Sequence, residues 1–313
     1  MFQSISVVIP AYNAALTIGE LIAQLIPVLD LITPDNEIIL IDDDSPDTTW
    51  QVIQQITKKY SRVRAIQLMK NSGQAAATLC GLCMADKEII ITMDDDLQHQ
   101  PQEIPALLTA LGENPNMDCV FGVFNKKQHR GYRNAASVII AMINRQAFGL
   151  PRHVKTSGFR VMRCQLAKEM VKRKTANPSI PALLLGCTRK VMSLPVTHAP
   201  RFAGESNYTL TKQFRMAFDN LCNATMLPLR LVSMCGMGLC LMSLGLVSYY
   251  FFQYLFGVTK LQGWTTLVLM ISFFSGTILL SLGILGEYLV RVLREVSHKP
   301  AYVIRQQGNS HKD

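Results

Sequence analysis

The chain has 313 residues, of which 49% are hydrophobic and 17% charged, and its mean hydropathy is +0.19. This length allows one large domain or two small ones, and the apolar content is unusual for a purely soluble protein. The net charge of +9 makes a nucleic acid the default partner, but no nucleic-acid-binding motif accompanies the basic residues, so we expect none.

The charge is unevenly distributed along the chain. Residues 1–118 hold 16 acidic and 6 basic side chains, whereas residues 119–174 hold 13 basic side chains and one acid, Glu169. We therefore expect an acidic half that can hold a cation, followed by a basic half that can hold phosphate groups.

Four short apolar runs rich in β-branched residues alternate with helical segments in the first hundred residues. They predict strands at 4–10, 37–41, 64–68 and 88–93, with helices at about 17–29, at 47–59 and from 74 onward. Thr17 and Glu20 predict a capping box at the first helix. This alternation is typical of βαβ units and predicts an α/β fold with a doubly wound, mainly parallel sheet. Because a strand follows Met1 directly, we expect no signal peptide.

Two of these strands end in acid clusters, Asp42-Asp43-Asp44 and Asp94-Asp95-Asp96-Leu97-Gln98. The ligand crevice of an open α/β sheet lies at the carboxyl ends of its strands, so we expect the clusters to converge there. Adjacent carboxylates repel one another unless a cation sits among them, and their hard oxygen atoms suit Mg2+ or Mn2+. The alternative is an exposed acidic turn that precedes a helix near Pro101.

The basic region begins after a further predicted strand at 119–124. It contains a predicted helix at 133–146, in which Arg133 and Ser137 share a face. Residues 157–162 return to extended structure. Residues 209–227 carry apolar and basic residues at helical spacing, which is typical of an interfacial helix, with a core-facing helix as the alternative.

Two long apolar runs, at 231–256 and 265–286, contain no charged residue. About 20 apolar residues span a bilayer core, so both runs are predicted transmembrane helices of a hairpin at 228–291. Basic residues flank its outer ends and the connector carries only Lys260, so the positive-inside rule puts both termini in the cytoplasm. The domain at 1–208 and a tail at 292–313 would then be cytoplasmic.

The motifs together resemble a known family. Residues 6–13, 41–45 and 94–99 look like those of glycosyltransferase family 2. Arg201-x-x-Gly204-x-Ser206-x-Tyr208, Lys299-Pro300-x-Tyr302 and the two apolar runs narrow the resemblance to polyprenyl-phosphate glycosyltransferases. These include dolichyl-phosphate mannose synthases and, closer, bacterial undecaprenyl-phosphate sugar transferases. The resemblance implies a GT-A-like nucleotide-sugar domain on a multi-pass protein of the bacterial inner membrane, assembled as a homo-oligomer, a tetramer in relatives.

The resemblance also implies roles for individual residues. The nucleotide pocket would be lined by Pro10, Tyr12, Asn13, Asp42, Asp43 and Asp95. The catalytic D-x-D pair would be Asp94 and Asp96, which would hold the metal together with Gln98. Catalytic Arg201 would lie on a loop that closes over the donor pyrophosphate, and Arg130, Arg133 and Ser137 would bind the lipid phosphate. Departures from the family at Ala14, Asp44, Phe124 and Asn207 leave the donor sugar open.

The implied reaction is a metal-dependent, inverting transfer of a sugar from a nucleotide-diphosphate sugar to a polyprenyl phosphate, with undecaprenyl phosphate as the expected acceptor. A phosphate monoester is already ionised at neutral pH, so it needs guiding cations and no general base. Two alternatives remain. A polymerising family 2 synthase is disfavoured by the two short-looped spans and the lack of a Gln-x-x-Arg-Trp motif. A non-catalytic membrane subunit that binds a nucleotide sugar is disfavoured by the intact D-x-D-L-Q motif.

Overall fold

The computed structural model describes residues 2–124, 154–173, 175, 178–197, 263–296 and 300–308, with isolated positions between 234 and 256. The chain divides into two compact units. One comprises Met1–Thr209 together with His298–Asp313, and the other comprises Leu210–Ser297. The first unit ends close to the predicted boundary at 208, but it also takes in the C-terminal segment that the sequence analysis treats as a tail.

The described part of the first unit is built on one eight-stranded sheet. In spatial order its strands are β7 (Val191–Val196), β5 (Cys119–Phe124), β6 (Arg160–Arg163), β4 (Ile89–Thr92), β1 (Ser4–Ala11), β2 (Asp35–Asp42), β3 (Val63–Leu68) and β8 (Ile304–Gly308). Strands β4, β1, β2 and β3 are parallel neighbours, and so are β5 and β7. Strand β6 runs antiparallel to both of its neighbours, β4 and β5, and β8 runs antiparallel to β3. The predicted α/β fold with a mainly parallel sheet is confirmed.

Helices cover both faces of this sheet. They are α1 (Ile18–Ile32), α2 (Thr49–Lys59), α3 (Gln74–Met84), α4 (Ile104–Glu113), α5 (Cys164–Lys172) and α6 (Ile180–Cys187), with a 3-10 turn at Pro101–Glu103. Residues of α1, α2 and α4 form one apolar cluster with Val7 of β1, and residues of α3, α5 and α6 form a second with Val8. Because both faces are buried, the central strands are continuous apolar runs without alternating polar residues.

The predicted capping box at α1 is wrong. Thr17 is the N-cap residue, but its side chain makes no capping bond and its hydroxyl donates to the Ala14 carbonyl at 3.3 Å. Glu20 instead accepts a hydrogen bond from Gln24 at 2.7 Å. The reason is the backbone of Thr17, which is helical (φ −109°, ψ −33°). A residue that caps a helix through its side chain typically has an extended backbone.

The second unit contains a long apolar helix, α7 (Trp264–Val296), of 33 residues. Within it, Phe273–Val290 has a mean hydropathy of 1.6, and none of that window is buried by the rest of the chain. By length and composition, α7 is the one helix in the described parts of the chain that could cross a membrane. The predicted span at 265–286 lies inside α7. The predicted interfacial helix at 209–227 lies outside the described residues, as does the span at 231–256 apart from isolated positions.

Close packing of α3 on the sheet generates the first testable expectation. A Cβ atom built on Gly81 would lie 2.6 Å from Ile41 Cδ1 and closer still to Val8 Cγ1, whereas one built on Gly19 of α1 would have no neighbour within 4 Å. Gly81→Ala should therefore destabilise the first unit, because overpacking a core costs about 1–3 kcal/mol, more than the helix propensity gained. Gly19→Ala is the matched control and should leave the melting temperature unchanged or slightly raised. Thermal unfolding of the purified full chain checks this, and equal melting temperatures for the two variants would contradict the packing.

Candidate active site

The two acid clusters meet at one edge of the sheet. Strand β1 lies between β2 and β4 and runs parallel to both, so the carboxyl ends of the three strands coincide. Along the chain, β2 and β3 are added on one side of β1, and β4 is then added on the other side. This reversal makes the edge a topological switch point, where open α/β sheets bind ligands. Asp42–Asp44 therefore flank the loop after β1 on one side, and Asp94–Asp96 flank it on the other.

Two consecutive backbone amides of that loop connect it to both clusters. The Tyr12 N–H donates to Asp95 Oδ2 at 3.1 Å, and the Asn13 N–H donates to Ser45 Oγ at 3.1 Å. Asn13 adopts a left-handed backbone with φ +53°. The side chains of Tyr12 and Asn13 are exposed, so they can contact a ligand in the crevice, whereas Pro10 is buried within β1.

Asp42 and Asp43 are buried, and their carboxylates hold the neighbouring loops. Asp42 accepts hydrogen bonds from the Ser45 N–H at 3.2 Å and from Gln67 Nε2 at 3.0 Å. Asp43 accepts from two consecutive amides of the loop after β3, Ser72 at 2.7 Å and Gly73 at 2.8 Å. Burial raises the pKa of Asp43, and these two hydrogen bonds oppose the rise. Both acids therefore hold the loops after β2 and β3 in place.

The three central acids point to three different partners. Asp94 Oδ1 accepts from Gln74 Nε2 at 2.6 Å, Asp95 accepts from the Tyr12 amide, and Asp96 Oδ1 accepts from the Gln98 N–H at 3.2 Å. Burial raises the pKa of Asp94, and the nearby Asp96 raises it further. Burial also raises the pKa of Asp95 to about 7, with Asp94 and Asp96 adding to the rise. Concentrated, partly buried negative charge of this kind favours a bound cation.

His99 holds the turn that carries these acids. Its ring is 4% exposed and stacks between Phe124 and Phe159, with centroid distances of 5.3 and 5.1 Å. Its Nδ1 accepts a hydrogen bond from the Asp94 N–H at 3.0 Å, so that nitrogen carries no proton in this arrangement. The structure therefore gives His99 a positioning role.

Residues 158–160 lie against Asp94, which the sequence analysis missed. Thr92 Oγ1 donates to the Gly158 carbonyl at 2.8 Å, and Arg160 Nε donates to Thr92 Oγ1 at 2.9 Å. A Cβ atom on Gly158 would lie 2.9 Å from Asp94 Oδ2, so glycine permits this approach. Arg160 is 6% exposed, and its Nη1 has no hydrogen-bond partner among the described residues. A charged side chain within a predicted strand was the one sequence feature that could have drawn attention to this contact.

The acid pair fits a shared divalent cation. Among the described residues, no group of three or more His, Cys, Asp or Glu side chains could hold a metal by itself. Mg2+ and Mn2+ are commonly held by one or two carboxylates, with the phosphates of a substrate completing the coordination. Asp94 and Asp96 supply carboxylates of this kind, and the backbone N–H of Gln98 donates to Asp96. The remaining predicted site residues, Arg130, Arg133, Ser137 and Arg201, lie outside the described residues.

Comparison with known proteins decides the family. Residues 6–171 match the model for glycosyl transferase family 2. The chain belongs to this family. It is 30% identical over 312 residues to the undecaprenyl-phosphate 4-deoxy-4-formamido-L-arabinose transferase of Edwardsiella ictaluri, covering 97% of this chain and 94% of that one. The protein of the same name from Yersinia enterocolitica is 31% identical over 307 residues, covering 97% and 93%.

Solved structures share the fold of this glycosyltransferase. Glucosyl-3-phosphoglycerate synthase from Mycobacterium tuberculosis, in complex with phosphoglyceric acid, matches with a TM-score of 0.52 and 20% identity, over 71% of this chain and 80% of that one. The same enzyme in complex with Mn2+, uridine diphosphate and phosphoglyceric acid gives a TM-score of 0.51 and 20% identity, over 70% and 76%. At this identity the likeness shows the GT-A-like fold of the first unit and no more.

The tight approach of Gly158 to Asp94 leads to a second expectation. In Gly158→Ala the new methyl group would crowd both carboxylate oxygens, at 2.9 and 3.0 Å, and displace Asp94 by a few tenths of an ångström. Misplacing a site carboxylate should lower kcat/KM for sugar transfer by about tenfold or more. Gly112→Ala is the control, because its Cβ would meet only the Phe2 ring at an ordinary 3.8 Å. Wild-type kinetics in Gly158→Ala would show that Asp94 tolerates the shift or does not act in the reaction.

Proposed function

We propose that this glycosyltransferase moves a sugar from a nucleotide-diphosphate sugar to a polyprenyl phosphate, with undecaprenyl phosphate as the acceptor. The observation that carries the proposal is its similarity, over nearly the whole chain, to relatives named undecaprenyl-phosphate sugar transferases. The similarity extends past the sheet and through the apolar C-terminal part. A transferase that acts on a water-soluble acceptor would require no such segment. The crevice at the end of β1 is the proposed donor site.

The donor would bind with its diphosphate beside Asp94 and Asp96. Tyr12 and Asn13 are exposed at the base of the crevice and can contact the nucleotide, while Asp43 holds the loop at Ser72 and Gly73 that bounds it. A Mg2+ or Mn2+ ion held by Asp94, Asp96 and Gln98 would supply positive charge to the leaving diphosphate. Gln74 and His99 keep the acid turn fixed through their hydrogen bonds to Asp94.

The acceptor phosphate would act as the nucleophile. One of its oxygen atoms forms a bond to the anomeric carbon while the bond to the nucleotide diphosphate breaks, and the leaving group departs with the electron pair. A single displacement inverts the anomeric centre, and no proton has to be removed. The basic segment 119–174, with Arg130, Arg133 and Ser137, would guide the lipid phosphate, and Arg201 would close over the donor pyrophosphate.

The proposed setting is the inner membrane of a bacterium. The spans at 231–256 and 265–286 would form a hairpin, with the first unit in the cytoplasm, where nucleotide sugars are made. Helix α7 supports this by its length and apolar composition. A homotetramer, as the family resemblance implies, is part of the same proposal.

Product analysis tests the reaction. Purified full-length protein in detergent is incubated with undecaprenyl phosphate, MnCl2 or MgCl2, and a panel of nucleotide sugars that includes a 4-deoxy-4-formamido-L-arabinose donor. Mass spectrometry of the lipid should reveal one sugar added to the lipid monophosphate. A chain of several sugars would indicate a polymerising synthase. Failure of every donor to give a lipid product would contradict the proposal.

The third expectation concerns the acid pair. Asp96→Asn keeps the size of the side chain but removes a charge that would hold the cation, so transfer should fall by about a hundredfold or more at saturating donor. Asp86→Asn removes an exposed acid outside the crevice and should behave as wild type. Removing divalent ions with a chelator should abolish transfer in all three proteins. Normal turnover by Asp96→Asn would place the cation elsewhere.

The fourth expectation concerns the acceptor. A guanidinium group suits phosphate oxygens, and loss of one charged hydrogen bond costs about 1.5–3 kcal/mol. Arg133→Ala should therefore raise KM for the lipid phosphate by about tenfold to a hundredfold without changing donor binding, and Arg133→Lys should recover part of this loss. Lys168→Ala, an exposed residue of α5 in the same basic segment, serves as the charge control. If Arg133→Ala weakens donor binding instead, the basic segment serves the pyrophosphate.

A further inference from the structure

The C-terminal strand β8 has no part in the reaction described so far. It forms the outer edge of the sheet beside β3, where Gln306 lies opposite Gln67 and Gln307 lies opposite Ile66. The Met69 N–H donates to the Val303 carbonyl at 2.8 Å, which extends the contact beyond the strand. Only residues 297–303 separate β8 from the end of α7. Strand β8 thus returns to the catalytic sheet shortly after the apolar segment.

Gln306 is the start of a hydrogen-bond chain that ends at a buried acid of the crevice. Its Nε2 donates to Gln67 Oε1 at 3.0 Å, and Gln67 Nε2 donates to Asp42 Oδ2 at 3.0 Å. Gln67 is 7% exposed, and Asp42 is fully buried. A carboxylate can only accept, so the amide of Gln67 must keep its Nε2 towards Asp42. Its Oε1 then faces outward, and Gln306 supplies the donor that fixes this orientation.

Arg305 contacts the segments that follow β2 and β3. Its Nη2 lies 3.2 Å from Asp44 Oδ1 and donates to the Met69 carbonyl at 2.9 Å. Asp44 has φ +55°, a left-handed backbone that costs a non-glycine residue energy and persists where its surroundings hold it. The neighbouring Ser45 accepts the Asn13 amide. Arg305 therefore supports the Asp42–Asp44 cluster, whose loop contacts the loop after β1 through Ser45.

We propose that β8 belongs to the donor site, and that Gln306 and Arg305 are positioning residues for the nucleotide diphosphate that do not touch it. Gln306 acts through Gln67 and Asp42, and Arg305 acts through Asp44. The proposal rests on the proposed function, because it takes the crevice as the site of the nucleotide. Donor affinity should then depend on residues more than two hundred positions away from those that line the pocket.

Two substitutions of Gln306 separate positioning from simple loss of packing. Gln306→Ala removes the donor to Gln67. Gln306→Glu keeps the shape but offers only acceptors, so its carboxylate facing Gln67 Oε1 favours turning the Gln67 amide nitrogen outward, away from Asp42. The matched control is Gln307→Ala, which changes the next residue of the same strand. Its exposed side chain faces the opposite side of the sheet and makes no hydrogen bond to the described residues.

The test is a titration of the full-length proteins in detergent with UDP, GDP, CDP and ADP in the presence of MnCl2, followed by calorimetry. For the nucleotide that the wild type binds best, Gln306→Ala and Gln306→Glu should raise Kd by about fivefold or more, the scale of one lost hydrogen bond at a buried group. Gln307→Ala should bind as wild type. Arg305→Ala should also weaken binding, and Arg305→Lys should restore part of the loss.

Kinetics distinguish positioning from damage to the fold. In the Gln306 variants KM for the donor should rise, while kcat at saturating donor and KM for undecaprenyl phosphate stay at wild-type values and the proteins remain folded at the assay temperature. Wild-type nucleotide affinity in both Gln306 variants would overturn the proposal. So would an equal loss in Gln307→Ala, or a rise in KM for undecaprenyl phosphate as large as that for the donor. If the wild type binds none of the four nucleotides, the proposed function fails, and the inference fails with it.

Discussion

The hydrogen bonds from the Tyr12 and Asn13 amides, one to each side of the loop after β1, are the constraint on which the site depends. These bonds attach both acid clusters to a single short loop, although the clusters repel each other. Both acid clusters must lie near the end of β1 for one residue of the loop to reach Asp95 and the next to reach Ser45. The register of β1 with β2 and β4 provides this, because Ala11 pairs with Asp42 and Val8 with Thr92. The sheet thus sets the separation of the charges, and the loop fixes it.

Burial of Asp42 and Asp43 shows how the fold tolerates charge next to its core. A carboxylate removed from water is costly unless its oxygen atoms accept hydrogen bonds. Each of these two acids has one acceptor bond on each oxygen, from Ser45 and Gln67 in one case and from Ser72 and Gly73 in the other. The same bonds fix the loops after β2 and β3, beside the proposed donor site. Stability and the shape of the proposed site therefore depend on the same four donors.

Much of this architecture follows from local sequence, and the rest follows from contacts between distant residues. The strands and the acid ends could be predicted, because apolar runs and βαβ spacing are visible within windows of ten residues. Gly158 beside Asp94 and Gln306 beside Gln67 could not, since each contact joins segments whose proximity depends on the completed sheet. The capping box failed for a local reason: the residue types were correct, but Thr17 has a helical backbone and its N–H donates to the Ala14 carbonyl at 3.1 Å.

The position of β8 in the chain has a consequence for the order in which the molecule matures. The ribosome completes residues 1–209 well before it makes 304–308, and the whole of Leu210–Ser297 is synthesised in between. At translation rates of about 5–20 residues per second, β3 remains an open sheet edge for roughly 5–20 seconds. An unpaired edge invites association with other chains. The nascent domain is therefore open to such association until β8 is made, and a chain that stops before β8 keeps that edge exposed.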